Sequence, residues 1–471
     1  MSAWRTRVPL LALMLLPALA DARPVYDLKD PQLAATLNGR PITLKALDVM
    51  FRNSSLQSSG VTRADTLVAL VESRLMADYA RKRFGEKALV EDNKVGFHPD
   101  VTERQQFTSL IQLTFREPLA KSLQALGGNL GKTLQDEKPV APTEWAQYLP
   151  TPGVMQLEIR LPEGGLAAAA KRVLLRYRFD DANQGQITLL DVYNAQNVQG
   201  RNEFLNRNSA YVQDQARSLV IQRYVDYWAR TASGLSADDI AVLKQAIHDR
   251  NVYDGYAQLI GIAADIHDDK RYLGKLAKKT TQAEVDAYYK QHPDEFLTVE
   301  KVHARHIRLR DEAAANQVAE ALAKGGEFAK LAQQYSIAPD RASGGDLGWI
   351  LAADKNKEWL KSFAFLQTPG TPSRPIRTPP GADGSAPVWE IVLLDQKVQG
   401  HLPMRSSSVF YQASLTIARQ KANKEYRDTR QKLVSQAKLH INAAQDDLKT
   451  DWDKIYMPTS TPKHHDDGDA H

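Results

Sequence analysis

The sequence predicts an α+β protein in which long helices dominate and a small antiparallel sheet forms late in the chain. Three observations carry this. Leu67, Val71, Leu75 and Tyr79 recur every four residues, with Leu70 filling the stripe, as on one face of an amphipathic helix. From Lys301 to Leu394 one strand-like run is followed by two short helical patterns and then by further strand-like runs, an order that argues for α+β with an antiparallel sheet. A last stripe, Tyr411, Leu415, Ala418, Ala422, Tyr426, Thr429, Leu433 and Ala437, alternates spacings of three and four and needs a partner surface.

The chain has 471 residues, more than one compact core accommodates, so two or three domains are expected. With 43% hydrophobic and 25% charged residues, disorder throughout is excluded. Arg5 and Arg7 precede a short apolar stretch, Val8 to Ala20, and the small-x-small sites Ala18–Ala20 and Ala20–Ala22 follow. This pattern marks residues 1–22 as a cleaved secretory signal peptide, too short to be a membrane span. Nothing later is long and apolar enough to span, so no stable membrane insertion is expected. The formal charge is +5; removing residues 1–22 takes away two arginines and one aspartate and leaves +4. No dense Lys/Arg stripe appears, so no nucleic-acid footprint is expected. The absence of cysteine rules out disulfides and thiol chemistry.

The elements then follow in order. Ala35 to Thr43 reads as an extended pair around the Asn38-Gly39 turn, opening a helical region over 27–135. Gly127-Gly128 to Pro152, with Pro139, Pro142 and Pro150, reads as a loop or linker. A mostly helical middle region covers 154–298. Gly185-Gln186-Ile187-Thr188-Leu189 before Asp191-Val192 echoes Gly39-Arg40-Pro41-Ile42-Thr43-Leu44 before Asp48-Val49, a short gapped match that chance explains equally well. Thr281-Gln282-Ala283-Glu284 has the form of a capping box. A self-contained unit covers 299–398, and a helix over 405–445 is expected to pack on the N-terminal region. Residues 457–471 should be a disordered tail. Its His464, His465 and His471 with Asp466, Asp467 and Asp469 lack the fixed geometry of a tight metal site, so none is assigned.

Within 299–398 lie Val302-His303-Ala304-Arg305-His306-Ile307, Gly326-Glu327-Phe328-Ala329-Lys330-Leu331-Ala332, Tyr335-Ser336, Gly344-Gly345-Asp346-Leu347-Gly348-Trp349, Phe365 to Gly370, and Pro375-Ile376-Arg377-Thr378. In this order and spacing they resemble the parvulin (PpiC, rotamase) type of peptidyl-prolyl cis-trans isomerase. Asn38 to Thr43 and the late helix resemble the SurA group of periplasmic chaperones, in which a C-terminal helix returns to complete an N-terminal helical region. The resemblance implies a mostly helical chaperone region plus one parvulin domain. It also implies a periplasmic location and unfolded or nascent exported polypeptides, with their proline-containing segments, as partners.

The chemistry implied is rotation about the X-Pro bond. Its barrier, ~18–20 kcal/mol, comes from amide resonance, so catalysis requires no nucleophile, metal or cofactor. It requires an apolar pocket and preferential binding of the twisted amide. The resemblance places the catalytic pair at His306 and Thr378 and the substrate pocket at Leu347, Leu360, Phe365 and Trp389. The family's Asp or Cys after the Tyr-Ser pair falls on Ala338, and its second histidine falls on or beside Trp389. His303 should face the opposite side of the strand, at the surface. The expected function is a periplasmic foldase with a parvulin-type isomerase domain. The alternative is a catalytically weak or inactive parvulin-fold peptide-binding module serving a dedicated export or secretion system. A carboxylate such as Asp340 within hydrogen-bond reach of His306 would favour the isomerase.

Overall fold

The computed structural model describes residues 23–90, 96–128, 130–149, 160–263, 271–380 and 386–452. The expected signal peptide and tail lie outside these residues. The chain divides into two units, one of residues 1–272 with 422–471, the other of residues 273–421.

In the first unit, β1 (Val25–Leu28), β2 (Leu33–Leu37) and β3 (Arg40–Thr43) begin the chain. β2 and β3 form the hairpin read from Asn38-Gly39, both of whose φ angles are positive, as a tight turn of this kind demands. Thr43 then caps the helix Leu44–Gln57. β4 (Leu134–Gln135), β5 (Val173–Arg178) and β6 (Gln184–Thr188) form a second, three-stranded sheet in the order β4-β5-β6. Here too a hairpin ends on a threonine, Thr188, that caps the next helix through a capping box with Asp191. The short echo in the sequence is therefore the same local solution used twice, hairpin into capped helix.

The segment read as a linker is built into a core. Leu130, Val140, Trp145 and Tyr148 are buried with Val49, Phe107, Leu174, Phe204 and Trp228. That core joins the N-terminal and middle regions in one unit. The apolar residues between Pro139, Pro142 and the end of the described segment are large enough to hold it down.

The second unit holds β7 (Leu297–Leu309), β8 (Asp346–Leu351), β9 (Ile376–Arg377) and β10 (Trp389–His401), in the order β8-β7-β10-β9 with antiparallel neighbours. The helices Glu312–Ala323 and Phe328–Tyr335 cover one face through Ala315, Val318, Phe328 and Ala332. Leu360 and Ala364 of the helix Trp359–Ala364 pack on the other face. The protein is thus α+β, as its patterning requires. The capping box of Thr281 and Glu284 starts the helix Gln282–Gln291.

The late helix spans Ser407–Ser435, and a strand, β11 (Leu439–Asn442), follows where helix was expected. β11 lies between β1 and β2 and completes the first sheet. Leu439 and Ile441 put their side chains on one buried face, a spacing of two that helical counting overruns, and Asn442 is buried as well. The helix is also partnered differently along its length. Val409, Ala413 and Ile417 pack on Val285, Tyr288 and Phe296 within the second unit, and Tyr411 is 70% exposed. From Ala422 on it belongs to the first unit, where Tyr426 packs with Tyr256 and Arg430 Nε donates to Glu72 at 2.7 Å.

Candidate active site

His306 stands in the middle of β7, opposite Val392 of β10. Strand alternation puts Val302, Ala304 and His306 on one face and Ile307 and Leu309 on the other. On β10 the same rule puts Glu390, Val392 and Leu394 with His306, and Trp389, Ile391 and Leu393 on the helix-covered face. The Gly345 carbonyl accepts the His306 N–H at 2.8 Å. Gly345 has φ +76°, and a Cβ there would overlap the His306 carbonyl oxygen, so the Gly-Gly turn is what lets this chain segment cross so close.

Both ring nitrogens of His306 face carboxylates. Nδ1 is 2.8 Å from Glu390 Oε2, and Nε2 is 2.9 Å from Asp340 Oδ2. Glu390, 1% exposed, also accepts from Arg308 Nε at 2.6 Å. Ionised carboxylates only accept, so both ring nitrogens must donate, and the arrangement is that of an imidazolium clamped between two anions. Burial pulls the His306 pKa down, but Glu390 and then Asp340 outweigh it and hold it above the ordinary histidine value. With Arg308 included, the four groups sum to zero charge, which is how a buried cluster of this kind is tolerated.

Local structure explains Asp340. Ser336, buried, accepts the backbone N–H of Arg308 at 3.1 Å and of Ala338 at 3.2 Å. These bonds tie the Ser336–Ala338 segment to β7, and the turn Pro339–Ser343 then carries Asp340 over the histidine. The ring takes its carboxylate from that turn, while Ala338 is itself buried. The other oxygen of Asp340, Oδ1, is buried without a hydrogen-bond partner among the described residues.

The remaining expected residues divide. Leu347, Leu360 and Phe365 lie on the His306 face, clustered with Val302, Ile350 and Val392. Leu360 is buried, and Leu347 and Phe365 are half-buried beside Trp359, which stacks on Phe363 with 5.2 Å between ring centres. Trp389 is on the opposite face, against the helices, because it is one residue out of phase with Glu390. Thr378 does not join the histidine network. Its hydroxyl accepts from Val388 N at 3.0 Å, and its own N–H donates to Val388 O at 2.8 Å, closing the β9–β10 pair. His303 is on the far face as expected, but half-buried, with Trp349 edge-on at 5.4 Å and Asp346 and Asp395 each at 3.4 Å.

Sequence reasoning missed Glu390 and Arg308. The signal was present: Glu390 is the one charge before the apolar run Ile391 to Leu394, and a carboxylate in a buried strand requires a partner.

The domain is thus a four-stranded antiparallel sheet with two helices on one face and a buried histidine beside an apolar cluster on the other. Residues 280–402 match the family described as the PPIC-type PPIASE domain. Among curated relatives, foldase protein PrsA of Geobacillus sp. (strain WCH70) is 39% identical over 101 residues, covering 21% of this chain and 34% of the relative. Chaperone SurA of Chromobacterium violaceum is 34% identical over 110 residues, covering 21% and 24%. Periplasmic chaperone PpiD of Haemophilus ducreyi is 43% identical over 75 residues, covering 16% and 12%. The chain thus spans about a third or less of the length of these relatives. Among the described residues, no helix is long and apolar enough to cross a membrane.

Proposed function

We propose that this chain is a periplasmic foldase whose parvulin domain isomerises X-Pro bonds in unfolded exported polypeptides. The observation that carries the reading is the 2.9 Å contact between His306 and Asp340, which restores a carboxylate to a histidine that lacks one at Ala338. Beside it, the Leu347–Phe365 cluster offers apolar surface to a proline ring. Desolvation of the imide there favours the twisted state over the planar one. The Arg5/Arg7 leader pattern supports export, and the PrsA, SurA and PpiD relatives support the foldase role.

Activity is modest in this reading, because Glu390 and Asp340 occupy both ring nitrogens and the family's second histidine is replaced. Each transition-state contact worth ~1.4 kcal/mol that is lost costs about tenfold in rate. The test is a cis-to-trans assay on a proline tetrapeptide with wild type, His306→Ala, Asp340→Asn and Ala338→Asp. His306→Ala and Asp340→Asn should each lower kcat/KM by about tenfold or more. Ala338→Asp should not raise it, since the ring already has its carboxylate. Wild-type turnover indistinguishable from the uncatalysed rate would refute the isomerase reading.

A further inference from the structure

The first unit contains a cleft of ≈ 830 Å³ that shares no residue with the site around His306. It lies among the helices Pro99–Thr114, Ser209–Thr231 and Ala237–Leu259 and the β5–β6 hairpin. That volume falls toward the upper end of ligand sites, which span ~300–1,000 Å³. Its walls are mostly polar, and their charges are already engaged. Arg104 pairs with Asp100 at 2.8 Å, and Lys244 and Arg230 both pair with Asp226, at 2.6 and 3.0 Å. Arg223 donates to Tyr177 Oη at 3.0 Å and faces Asp191 at 3.9 Å. Glu103 is 2.7 Å from His248 Nδ1. The lining carries four cations and four anions, so its formal charge is zero.

This pattern selects against charge in a ligand. An added ion meets no net charge, and to reach one member of a pair it has to displace the other. A hydroxyl group does not. It donates to the carboxylate and accepts from the cation of the same pair, as the water it displaces does, so the pair stays intact. In a trans peptide group the N–H and C=O point in opposite directions, so it cannot serve both members of one pair in this way. The pairs are open to such a ligand: the side chains of Asp100, Arg104, Asp226, Arg230 and Lys244 are 32–60% exposed. The side-chain amides of Gln184 and Gln222, without a hydrogen-bond partner among the described residues, add further donors and acceptors. One strip of the lining is apolar. Phe179 and Tyr227 are half-buried, with ring centres 5.3 Å apart, and Tyr227 Oη donates to Asp180 at 2.8 Å, which holds its ring in place. The negative face of an aromatic ring suits the weakly positive C–H bonds on the flat side of a pyranose.

We infer that this cleft binds a neutral oligosaccharide, its hydroxyls bridging the Asp100–Arg104 and Asp226–Lys244 pairs and one pyranose face lying against Phe179 and Tyr227. This binding is a function separate from prolyl isomerisation and does not rest on it, because every lining residue belongs to the first unit.

The test is isothermal titration calorimetry of the full chain with three neutral trisaccharides, maltotriose, cellotriose and triacetylchitotriose, and with the anionic trigalacturonic acid. At least one neutral trisaccharide should bind with a Kd of about 1 mM or tighter, and about tenfold more tightly than the anionic one. The preferred member identifies the sugar and its linkage. Asp226→Asn, which leaves Lys244 and Arg230 without their carboxylate, should weaken the neutral ligand about tenfold and tighten the anionic one. Mere loss of structure does not reverse a preference in this way. A diazirine on the preferred trisaccharide should crosslink wild type within residues 100–108, 179–184, 222–230 or 244–247. That map decides the matter even if the variant misfolds. No saturable binding by any neutral trisaccharide, equal affinity for the anionic one, or crosslinks elsewhere overturns the inference. So does a proline-free peptide, Gly-Ser-Asn-Phe-Asn-Ser-Gly, that occupies the cleft more tightly than every neutral trisaccharide.

Discussion

Replacing Glu390 by alanine removes the buried carboxylate that His306 and Arg308 share. Breaking a buried ion pair by deleting one partner costs ~3–5 kcal/mol, because the other charge stays behind without compensation. Two features of the site place this case at the lower end, about 3 kcal/mol. His306 keeps Asp340 at 2.9 Å, and Arg308, with 36% of its side chain exposed, can turn toward water. For a unit of this size ~3 kcal/mol lowers the melting temperature by roughly 6–12 °C. Glu390→Gln should recover little of it. The amide keeps the shape but presents one donor, whereas His306 and Arg308 both donate, so one of them faces an N–H. The measurement is calorimetry of the full chain, with hydrogen exchange of β7 and β10 to tie the loss to this sheet. If Glu390→Ala melts within about 2 °C of wild type and β7 keeps its protection, the clamp contributes less than 1 kcal/mol and the reasoning fails.

Three further outcomes follow from the same structure. The His306 pKa is raised on folding, so its stabilisation is full below the unfolded value of about 6.5 and is lost as pH rises through the folded value. Wild type should therefore exceed His306→Gln in stability at pH 5.5 and lose that margin by pH 9; a margin that grows with pH contradicts the imidazolium. Gly345→Ala should disrupt the crossing over His306, since Ala carries a Cβ at φ +76° into a backbone oxygen; a variant with wild-type β7 protection and turnover would show that the turn relaxes freely. Ending the chain after Ser435 removes β11 and the buried Leu439, Ile441, Leu448 and Trp452. At ~1.5–3 kcal/mol each the upper bound is about 6–12 kcal/mol, comparable with a whole domain's stability, so the first unit should lose its cooperative transition. An unchanged transition in denaturant would refute it.

The sequence by itself determined the elements whose rules are local. The Asn38-Gly39 turn, the Thr281 cap and the strand–helix–strand order of residues 299–398 were all legible, because turn geometry, capping and side-chain period act within a few residues. It also determined that His306 stands on the strand face opposite His303, by alternation alone. What it left open depends on pairs far apart in the chain. Asp340 reaches His306 because Ser336 ties its segment to β7, a contact no spacing encodes. Glu390, rather than Trp389, shares the site because the register of β10 on β7 is set by the whole sheet, and a shift of one residue turns every side chain over. The strand at Leu439–Asn442 is stable only because β1 and β2 flank it, some 400 residues earlier in sequence. Four residues of which only Leu439 and Ile441 are apolar have too little apolar surface to declare themselves; the sheet they enter supplies the hydrogen bonds that make them a strand.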